Sequence, residues 1–524
     1  QFKCLYLKVG FDEKKNGYLN PLATLMNGDL SLSDTRTKGN YKPVLFYPTS
    51  PFDSNAHICN ILLKNDTNGT PQMFSSAGEI IEDNMIVEFK YDMEKTGMWK
   101  WVPIKVRYDK TADFRNGSRN YGNAYHVANS NWQSIHNPIT PEMLCSNEQV
   151  KIIDDDVYYV KIHGESKTRG LRDFHNLFVK KLLIHIVSSA GDLLIDYAVG
   201  KGGDLSKWIH AKLGFVLGID ISRDNIENKI DGACARYLNQ SKKYKDLPKA
   251  MFLHGTTSNL IEDGSAFYND TSNSVMNAII GEGSKDKKTL GNGVLKLFGV
   301  ANKRFNVSSI QFALHYMFEN KNTLHNFLKN ISDYTRVGGY FIGTCFNGKS
   351  IFKMLESIQY GKENTIIKDG TKIWSIKKQY HAKTFPDNEK CVGYEIDIYQ
   401  ETINKYTREF LVNFEYLTQI LADYGFAPLS PEECKRKGLK SSSHSFETLY
   451  KILEDGGKKE YGEALNMSDE EKTVSFLNQY FVYKKTHNVD TKEILKMYTD
   501  SIVDKDVSFT IGKPRKLNER LKLI

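Results

Sequence analysis

Hydrophobic and polar positions alternate with a period of two in Met85-Ile86-Val87-Glu88-Phe89-Lys90-Tyr91 and again in Trp101-Val102-Pro103-Ile104-Lys105-Val106-Arg107-Tyr108. That is the pattern of half-buried strands, and Glu94-Lys95-Thr96-Gly97 between them predicts a hairpin turn. Residues 1–125 therefore read as a small β-rich barrel or sheet. Residues 126–170 are polar, rich in Asn, Ser, Gly and Pro, and read as a connector. From residue 171 the period changes: Leu171, Phe174, Phe178, Leu182 and Ile186 recur at helical spacing, and the apolar Leu193-Leu194-Ile195 predicts a buried strand. A Gly-rich turn, a helix over 205–211 and a second apolar strand over 215–219 complete a βαβ unit, which implies a parallel sheet. Phe312-Ala313-Leu314, Tyr340-Phe341-Ile342 and Phe481-Val482-Tyr483 are further strand candidates, and 322–335 predicts a helix. This second domain spans 171–488. Residues 489–524, with a helical stretch over 491–502 and a basic end over 513–522, read as a solvated tail.

At 524 residues, 40% hydrophobic and 26% charged, the chain has ordinary globular composition and room for two to four domains. Apolar runs such as Phe215-Val216-Leu217-Gly218-Ile219 stop far short of the ~20 residues of a membrane span. The start lacks the basic-then-apolar pattern of a signal peptide. Seven cysteines without a CxxC pair argue against a disulfide framework or a zinc ribbon, so no metal is expected and a reducing, cytoplasmic setting fits. A net charge of +8 permits a polyanionic partner. The opening Gln1-Phe2-Lys3, without Met, reads as part of a longer polypeptide.

The chemistry concentrates in Asp196-Tyr197-Ala198-Val199-Gly200-Lys201-Gly202-Gly203-Asp204-Leu205, directly after the buried strand. Glycine and alanine let the backbone approach a ligand, and Asp220, twenty residues past Gly200, ends the next strand where a βαβ site places the carboxylate for ribose hydroxyls. Asp196 and Asp204 would repel the phosphates of a dinucleotide. A phosphate-free nucleoside with a cationic amino-acid end suits the loop, and S-adenosylmethionine is one.

These residues resemble the first motif of the mRNA cap guanine-N7 methyltransferases, and further motifs follow in the family's order. Asn176-Leu177-Phe178-Val179-Lys180 is similar to its Asn-Asn-aromatic-x-Lys helix. Gln311-Phe312-Ala313-Leu314-His315-Tyr316-Met317-Phe318-Glu319 is similar to its QF-x-x-HY-x-FE segment. Gly338-Gly339-Tyr340-Phe341-Ile342-Gly343-Thr344 and Arg408-Glu409-Phe410-Leu411-Val412 match two later segments. The resemblance implies an α/β Rossmann-like S-adenosylmethionine-dependent methyltransferase preceded by a small OB-like domain. It implies that Lys180, Asp196, Ala198, Gly200, Asp220, Gln311 and Tyr316 line the cofactor site, and that Asn176, Lys201, Lys207, Arg236, His315 and Glu409 touch the cap. Where the family places an Asp on the adenine amino group, this chain offers Thr256. The family's late cap-contacting Tyr falls near Asn478, with Phe476 and Tyr480 as alternative residues for its place.

Guanine N7 carries a lone pair, so methyl transfer to it needs alignment rather than a general base, and Glu409, His315 and Tyr316 are expected to act by positioning. Each has a plainer reading: Glu409 as a surface acid, Lys207 as a solvated helix residue, His315 and the aromatics as core. Trp101 to Thr111 resembles the R-x-D-K element of mRNA guanylyltransferases, whose Arg and Lys hold phosphates; here these are Arg107, Asp109 and Lys110. Lys229-Ile230-Asp231-Gly232 has the letters of that family's nucleophile motif but lies after Asp220, where it should precede Arg107. The whole is most similar to the C-terminal part of a viral multifunctional capping enzyme of the giant DNA virus type, acting in the cytoplasm, in a viral factory or virion. The expected partners are GpppN-capped RNA, upstream triphosphatase and guanylyltransferase domains of the same polypeptide, and an activating subunit, with no membrane. Two other functions remain open at this stage: methylation of another nucleotide or RNA base, and a non-catalytic cap-binding or scaffolding module.

Overall fold

A computed structural model describes residues 1–12, 17–28, 41–48, 51, 53, 55–118, 121–136, 138, 166–244, 246–401, 403, 405–456 and 459–500. The basic stretch over 513–522 lies outside them. The described residues form two compact units, one within Gln1–Leu19 and Leu32–Ile153, the other within Asn20–Ser31 and Asp154–Phe509.

The first unit is β-rich. Phe2–Tyr6, Ile58–Asn65 and Pro71–Met73 make one antiparallel sheet, Lys8–Phe11 pairs with Lys42–Leu45, and Val87–Tyr91 pairs with Trp101–Val106. The last pair is the hairpin expected from alternation, with Tyr91 opposite Trp101. A helix, Tyr125–His136, opens the stretch expected to be a connector; its Tyr125 and Trp132, seven apart on one face, are buried with Phe11 and Phe46.

In the second unit β1 (Leu193–Asp196), β2 (Phe215–Asp220), β3 (Lys249–His254), β4 (Phe305–Gln311), β5 (Thr335–Phe346), β6 (Phe426–Pro428), β7 (Ser443–Ser445) and β8 (Asn478–Lys485) form one sheet. Its order is β3-β2-β1-β4-β5-β8-β6, with β7 also on β8. Strands β1 to β5 run parallel, β8 runs antiparallel to β5, and β6 and β7 each pair antiparallel with β8. The chain leaves β1 toward β2 on one side and returns at β4 on the other, so a crevice opens at the carboxyl ends of β1 and β4, where such sheets bind ligands. Every residue of β2 is buried, which explains its legibility as an apolar run.

The third strand candidate is corrected. The strand is Phe305–Gln311 and ends before Phe312, whose φ of 56° turns the chain into a 3-10 helix at Leu314–Glu319. Its polar residues hide it from a hydrophobicity reading, yet they are satisfied inside: Ser308 Oγ lies 2.7 Å from Thr335 Oγ1, and Gln311 Nε2 donates to Ser309 Oγ at 3.1 Å.

Two further elements, a second sheet and an early helix, go beyond the expected plan, and the helix expected over 491–502 is packed rather than solvated. An antiparallel sheet of Glu363–Lys368, Thr371–Lys378, Glu395–Gln400 and Lys405–Phe410 packs Trp374, Ile376, Ile396 and Ile398 with Phe346, Ile351 and Leu355. Helix Pro21–Asn27 belongs to the second unit and packs on Ala233–Ser241 and Lys287–Leu295. Helix Thr491–Asp500, within the expected tail, packs on helix Lys321–Tyr334.

Gly343 of β5 sits between Ile310 of β4 and Phe481 of β8, and a Cβ there would overlap the Ile310 carbonyl and the Phe481 ring. Gly343→Ala is expected to destabilise the chain by ~1–3 kcal/mol, seen as a lower thermal midpoint. Gly456→Ala, where a Cβ meets nothing within 4 Å, should leave the midpoint unchanged or raise it.

Candidate functional site

The turn after β1 bends where glycine permits it, with φ of 54° at Gly200 and 68° at Gly202. Asp220, at the end of β2, reaches across to it: Oδ2 accepts from Gly200 N at 2.7 Å, and Oδ1 accepts from Ser222 N and Asn225 Nδ2, each at 3.0 Å. Burial raises the Asp220 carboxyl above its usual range against these donors. Each carboxylate oxygen has two lone pairs, so Oδ2 retains capacity for a hydroxyl donor.

Lys180 and Lys207 converge on one carboxylate. Lys180 Nζ lies 3.3 Å from Asp204 Oδ1 and Lys207 Nζ 2.9 Å from it, while Lys207 also donates to the Gly203 carbonyl at 2.8 Å. Burial alone would raise the Asp204 carboxyl, but the two cations outweigh it and hold it at about 2. Asp196 has no such partner; burial first, then the charge of Asp204, pushes it up to about 7. Its Oδ1 accepts from Ala198 N at 3.2 Å. Asp204, assigned by sequence only to repelling phosphate, is thus the centre of a buried charge cluster that contributes one net positive charge.

Lys180 is delivered by a helix that changes pitch. Arg169–Asp173 is α-helical, Phe174–Val179 is a π-helix and Lys180–Val187 is α-helical again, and such π segments often sit at functional sites. Within it His175 is buried, its Nε2 2.9 Å from Ser475 Oγ and its ring stacked 5.2 Å from that of Phe312. Lys180 Nζ lies 5.5 Å from the centroid of the same ring. Burial, then Lys180, pulls His175 down to about 3, so it stays neutral. Nothing in the periodicity singles out His175; a histidine on the apolar face of a helix is the one available signal. Asn176, half-buried, donates to the Arg172 carbonyl at 3.1 Å.

Beyond Gln311, whose Oε1 accepts from Thr344 Oγ1 at 3.2 Å, the 3-10 turn brings His315 and Tyr316 together with ring centroids 4.2 Å apart. The pleat of Lys405–Phe410 turns Arg408 outward and Glu409 inward, opposite Ile396. His315 Nδ1 and Glu409 Oε2 meet at 3.5 Å, and Thr407 Oγ1 donates to Glu409 Oε1 at 3.2 Å. Burial lowers His315 to about 3 and raises Glu409 to about 8, so at neutral pH this is a largely uncharged pair rather than a salt bridge. Among the described residues both ring nitrogens of His315 and Oε2 of Glu409 are buried without a hydrogen-bond partner. Such atoms are costly unless a ligand meets them, and a ligand rich in N–H donors is the complement.

Other expected residues lie differently. Lys201 is buried and paired with Asp224 at 2.9 Å and Asp231 at 3.0 Å, so Asp231 of the discarded nucleophile motif serves as its counter-ion. Arg236 is exposed on helix Ala233–Ser241. Thr256 Oγ1 lies 2.7 Å from Ser258 Oγ in the loop after β3. Asn478 is buried at the start of β8, its Nδ2 donating to the Ser475 carbonyl at 3.1 Å. In the first unit Arg107 pairs with Asp109 at 3.0 Å and Lys110 with Asp113 at 3.2 Å, at the junction of Trp101–Val106 and helix Tyr108–Arg115. Among the described residues no group of three or more His, Cys, Asp or Glu is arranged to hold a metal ion, and no helix is long and apolar enough to cross a membrane.

Residues 160–486 match the mRNA (guanine-N(7))-methyltransferase domain. The "Probable mRNA-capping enzyme" of Acanthamoeba polyphaga mimivirus is 28% identical over 461 residues, covering 79% of this chain and 37% of that protein. The mRNA cap guanine-N(7) methyltransferase of Candida glabrata is 30% identical over 267 residues, covering 50% of this chain and 54% of that protein. The chain therefore spans about one third to one half of these relatives. Among solved structures, an S-adenosylmethionine-dependent methyltransferase from Clostridium acetobutylicum aligns with 60% of this chain and 92% of its own at 12% identity and a TM-score of 0.32.

Glu409 gives the ligand-free chain a pH signature. With its folded value raised to about 8 from 4.5, the folded state holds the proton more tightly than the unfolded one, so this stability is present below about 4.5 and lost as pH rises through 8. In Glu409→Gln the fall in unfolding free energy between pH 5 and 8 should be shallower than in wild type, as measured by denaturant titration.

Proposed function

The chain belongs to the mRNA (guanine-N(7))-methyltransferase domain family, and from that premise we propose that it methylates N7 of the guanine in a GpppN cap on RNA, with S-adenosylmethionine as donor. The observation that carries this reading is the buried polar pair His315, on the turn that leaves the carboxyl end of β4, and Glu409, on strand Lys405–Phe410, whose atoms find no hydrogen-bond partner among the described residues.

When bound, S-adenosylmethionine supplies an electrophilic methyl group on a sulfonium sulfur. The residues of the crevice suit its parts. Asp220 accepts from the ribose hydroxyls, Lys180 meets the α-carboxylate, and Asp196, near neutrality when empty, ionises against the α-ammonium. Ala198, Gly200, Gln311 and Tyr316 line the same site, and Thr256 takes the position near the adenine. On the acceptor side Glu409 accepts from guanine N1–H and the N2 amino group, which selects guanine and favours the positive charge that methylation puts on the ring. His315, Tyr316 and Asn176 position the base. Arg236 faces the triphosphate; Lys207 joins it only by leaving Asp204 and the Gly203 carbonyl, and Lys201 only by giving up Asp224 and Asp231. N7 needs no base to remove a proton, so alignment is the work done, worth ~7–11 kcal/mol in favourable cases.

The first unit is read as the OB-like domain of a guanylyltransferase, supported by Arg107, Asp109 and Lys110 and by the mimivirus relative that covers most of the chain. A nucleotidyltransferase core and a triphosphatase in the same polypeptide are the partners this calls for, with an activating subunit as a further one and the cytoplasm as the setting.

Tritium from labelled S-adenosylmethionine should pass to GpppA-RNA with wild-type chain. Asp220→Ala should abolish cofactor binding and transfer, and transfer unaffected by it would overturn the site. Glu409→Gln should lower kcat/KM for GpppA-RNA by about 10²–10³ with S-adenosylhomocysteine affinity unchanged. Because guanine binds the ionised carboxylate, KM for GpppA should fall as pH rises from 6 and level off above about 8 in wild type, and be flat in Glu409→Gln.

A further inference from the structure

The third wall of the crevice is the loop after β3, and one side chain holds it. Asn330, on helix Lys321–Tyr334, is 1% exposed. Its Nδ2 donates to the Thr257 carbonyl at 3.1 Å and the Asn259 carbonyl at 2.7 Å, and its Oδ1 accepts from Ile261 N at 3.0 Å. Three backbone groups of different sense fix the amide's orientation, since a flipped amide would oppose all of them. One turn earlier Asn326 donates to the Ser258 carbonyl at 3.1 Å.

The loop is tied to the rest of the crevice as well. Thr257 Oγ1 donates at 3.1 Å to the carbonyl of Tyr197, the residue after Asp196, and Gly255 N donates at 2.9 Å to the Asp220 carbonyl. The Tyr197 hydroxyl returns to the Asn330 carbonyl at 3.4 Å. The network closes from Gly-rich turn to loop to helix and back to the turn. The helix itself is braced on another face, where Lys329 pairs with Asp333 and Glu262 and donates to Thr491 Oγ1 at 3.2 Å.

We propose that Asn330 is a positioning residue for the nucleoside end of the cofactor: it holds the 256–261 loop in register with Asp196 and Asp220, so that Thr256 and Ser258 present their hydroxyls to the base. The inference rests on the methyltransferase reading of the crevice, and it assigns no contact between Asn330 and the cofactor. A loop held only by its own backbone would spend binding free energy on ordering, whereas a loop fixed beforehand does not.

The test uses the full chain with Asn330→Asp, which keeps the acceptor for Ile261 and loses both donors, and with Thr257→Val, which removes the tie to Tyr197. Affinities for S-adenosylhomocysteine and adenosine are measured by calorimetry, and that for GpppA by tryptophan fluorescence. In Asn330→Asp both nucleosides should weaken by the same factor, about tenfold or more, with GpppA within about twofold of wild type; Thr257→Val should show the same pattern at about threefold. Unchanged S-adenosylhomocysteine affinity, an equal loss for GpppA, or a loss for S-adenosylhomocysteine without one for adenosine would each overturn the proposal. Should Asn330→Asp fail to fold, Thr257→Val decides by the same criteria. A wild-type chain that binds S-adenosylhomocysteine but transfers no methyl group to GpppA would sink the acceptor assignment and leave this inference standing.

Discussion

Three carboxyl groups, Asp196, Asp204 and Asp220, share the carboxyl ends of two adjacent strands, and the site exists because they are kept from repelling one another. Asp204 is ionised and held by Lys180 and Lys207. Asp220 spends part of its capacity on the backbone of the turn it faces. Asp196, for which the Ala198 amide and the pull of Lys180 do not outweigh burial and the charge of Asp204, is pushed up to about 7. The geometry of the Gly-rich turn, the reach of the π-helical segment that delivers Lys180 and the burial of Lys207 all follow from this arrangement. Losing the Asp204 carboxylate would leave two cations confined together in a buried place, so the acid that the sequence assigns only to repelling phosphate carries the electrostatics.

The legible parts were those whose physics is local. Buried parallel strands are continuous apolar runs, so β1 and β2 stood out, and the turn between them needed glycine at the two positions where φ is positive. Asp220 followed from its spacing. Strand β4 did not, because Asn306, Ser308 and Ser309 are buried polar residues, and the partners of Asn306 and Ser308 come from distant segments. Nor did the partnership of Lys201 with Asp224 and Asp231, because a lysine beside a glycine turn looks the same whether it awaits a phosphate or already has counter-ions. The sheet over 363–410 was invisible in outline although Glu409 within it was named, since the resemblance supplied the residue and its pleat supplied the burial.

The loop after β3 shows the same division. Thr256 stands where the family resemblance implies an Asp, and its hydroxyl meets Ser258 rather than a charged group. A carboxylate there would have added a fourth acid to a crevice already crowded with three. The chain presents neutral hydroxyls, which can both donate and accept, and places the loop through buried amides on the neighbouring helix. Shape is thereby maintained without more charge.

His315 and Glu409 extend that logic to the acceptor side. Two ionised groups in so enclosed a place would be expensive, and a salt bridge between them would occupy the acceptors a base must reach. Burial resolves both difficulties: it drives the imidazole and the carboxyl toward their neutral forms, so the empty pair carries little charge and its unpartnered atoms remain available. In the proposed function, a base bearing adjacent N–H groups would repay the desolvation and draw Glu409 into its ionised form, beside a ring that gains positive charge when N7 is methylated. A base without those donors leaves the same atoms unmet and the carboxyl protonated. On that reading discrimination would arise from the cost the folded chain bears while empty, since the burial that makes Glu409 reluctant to ionise also makes its charge, once formed, strongly felt.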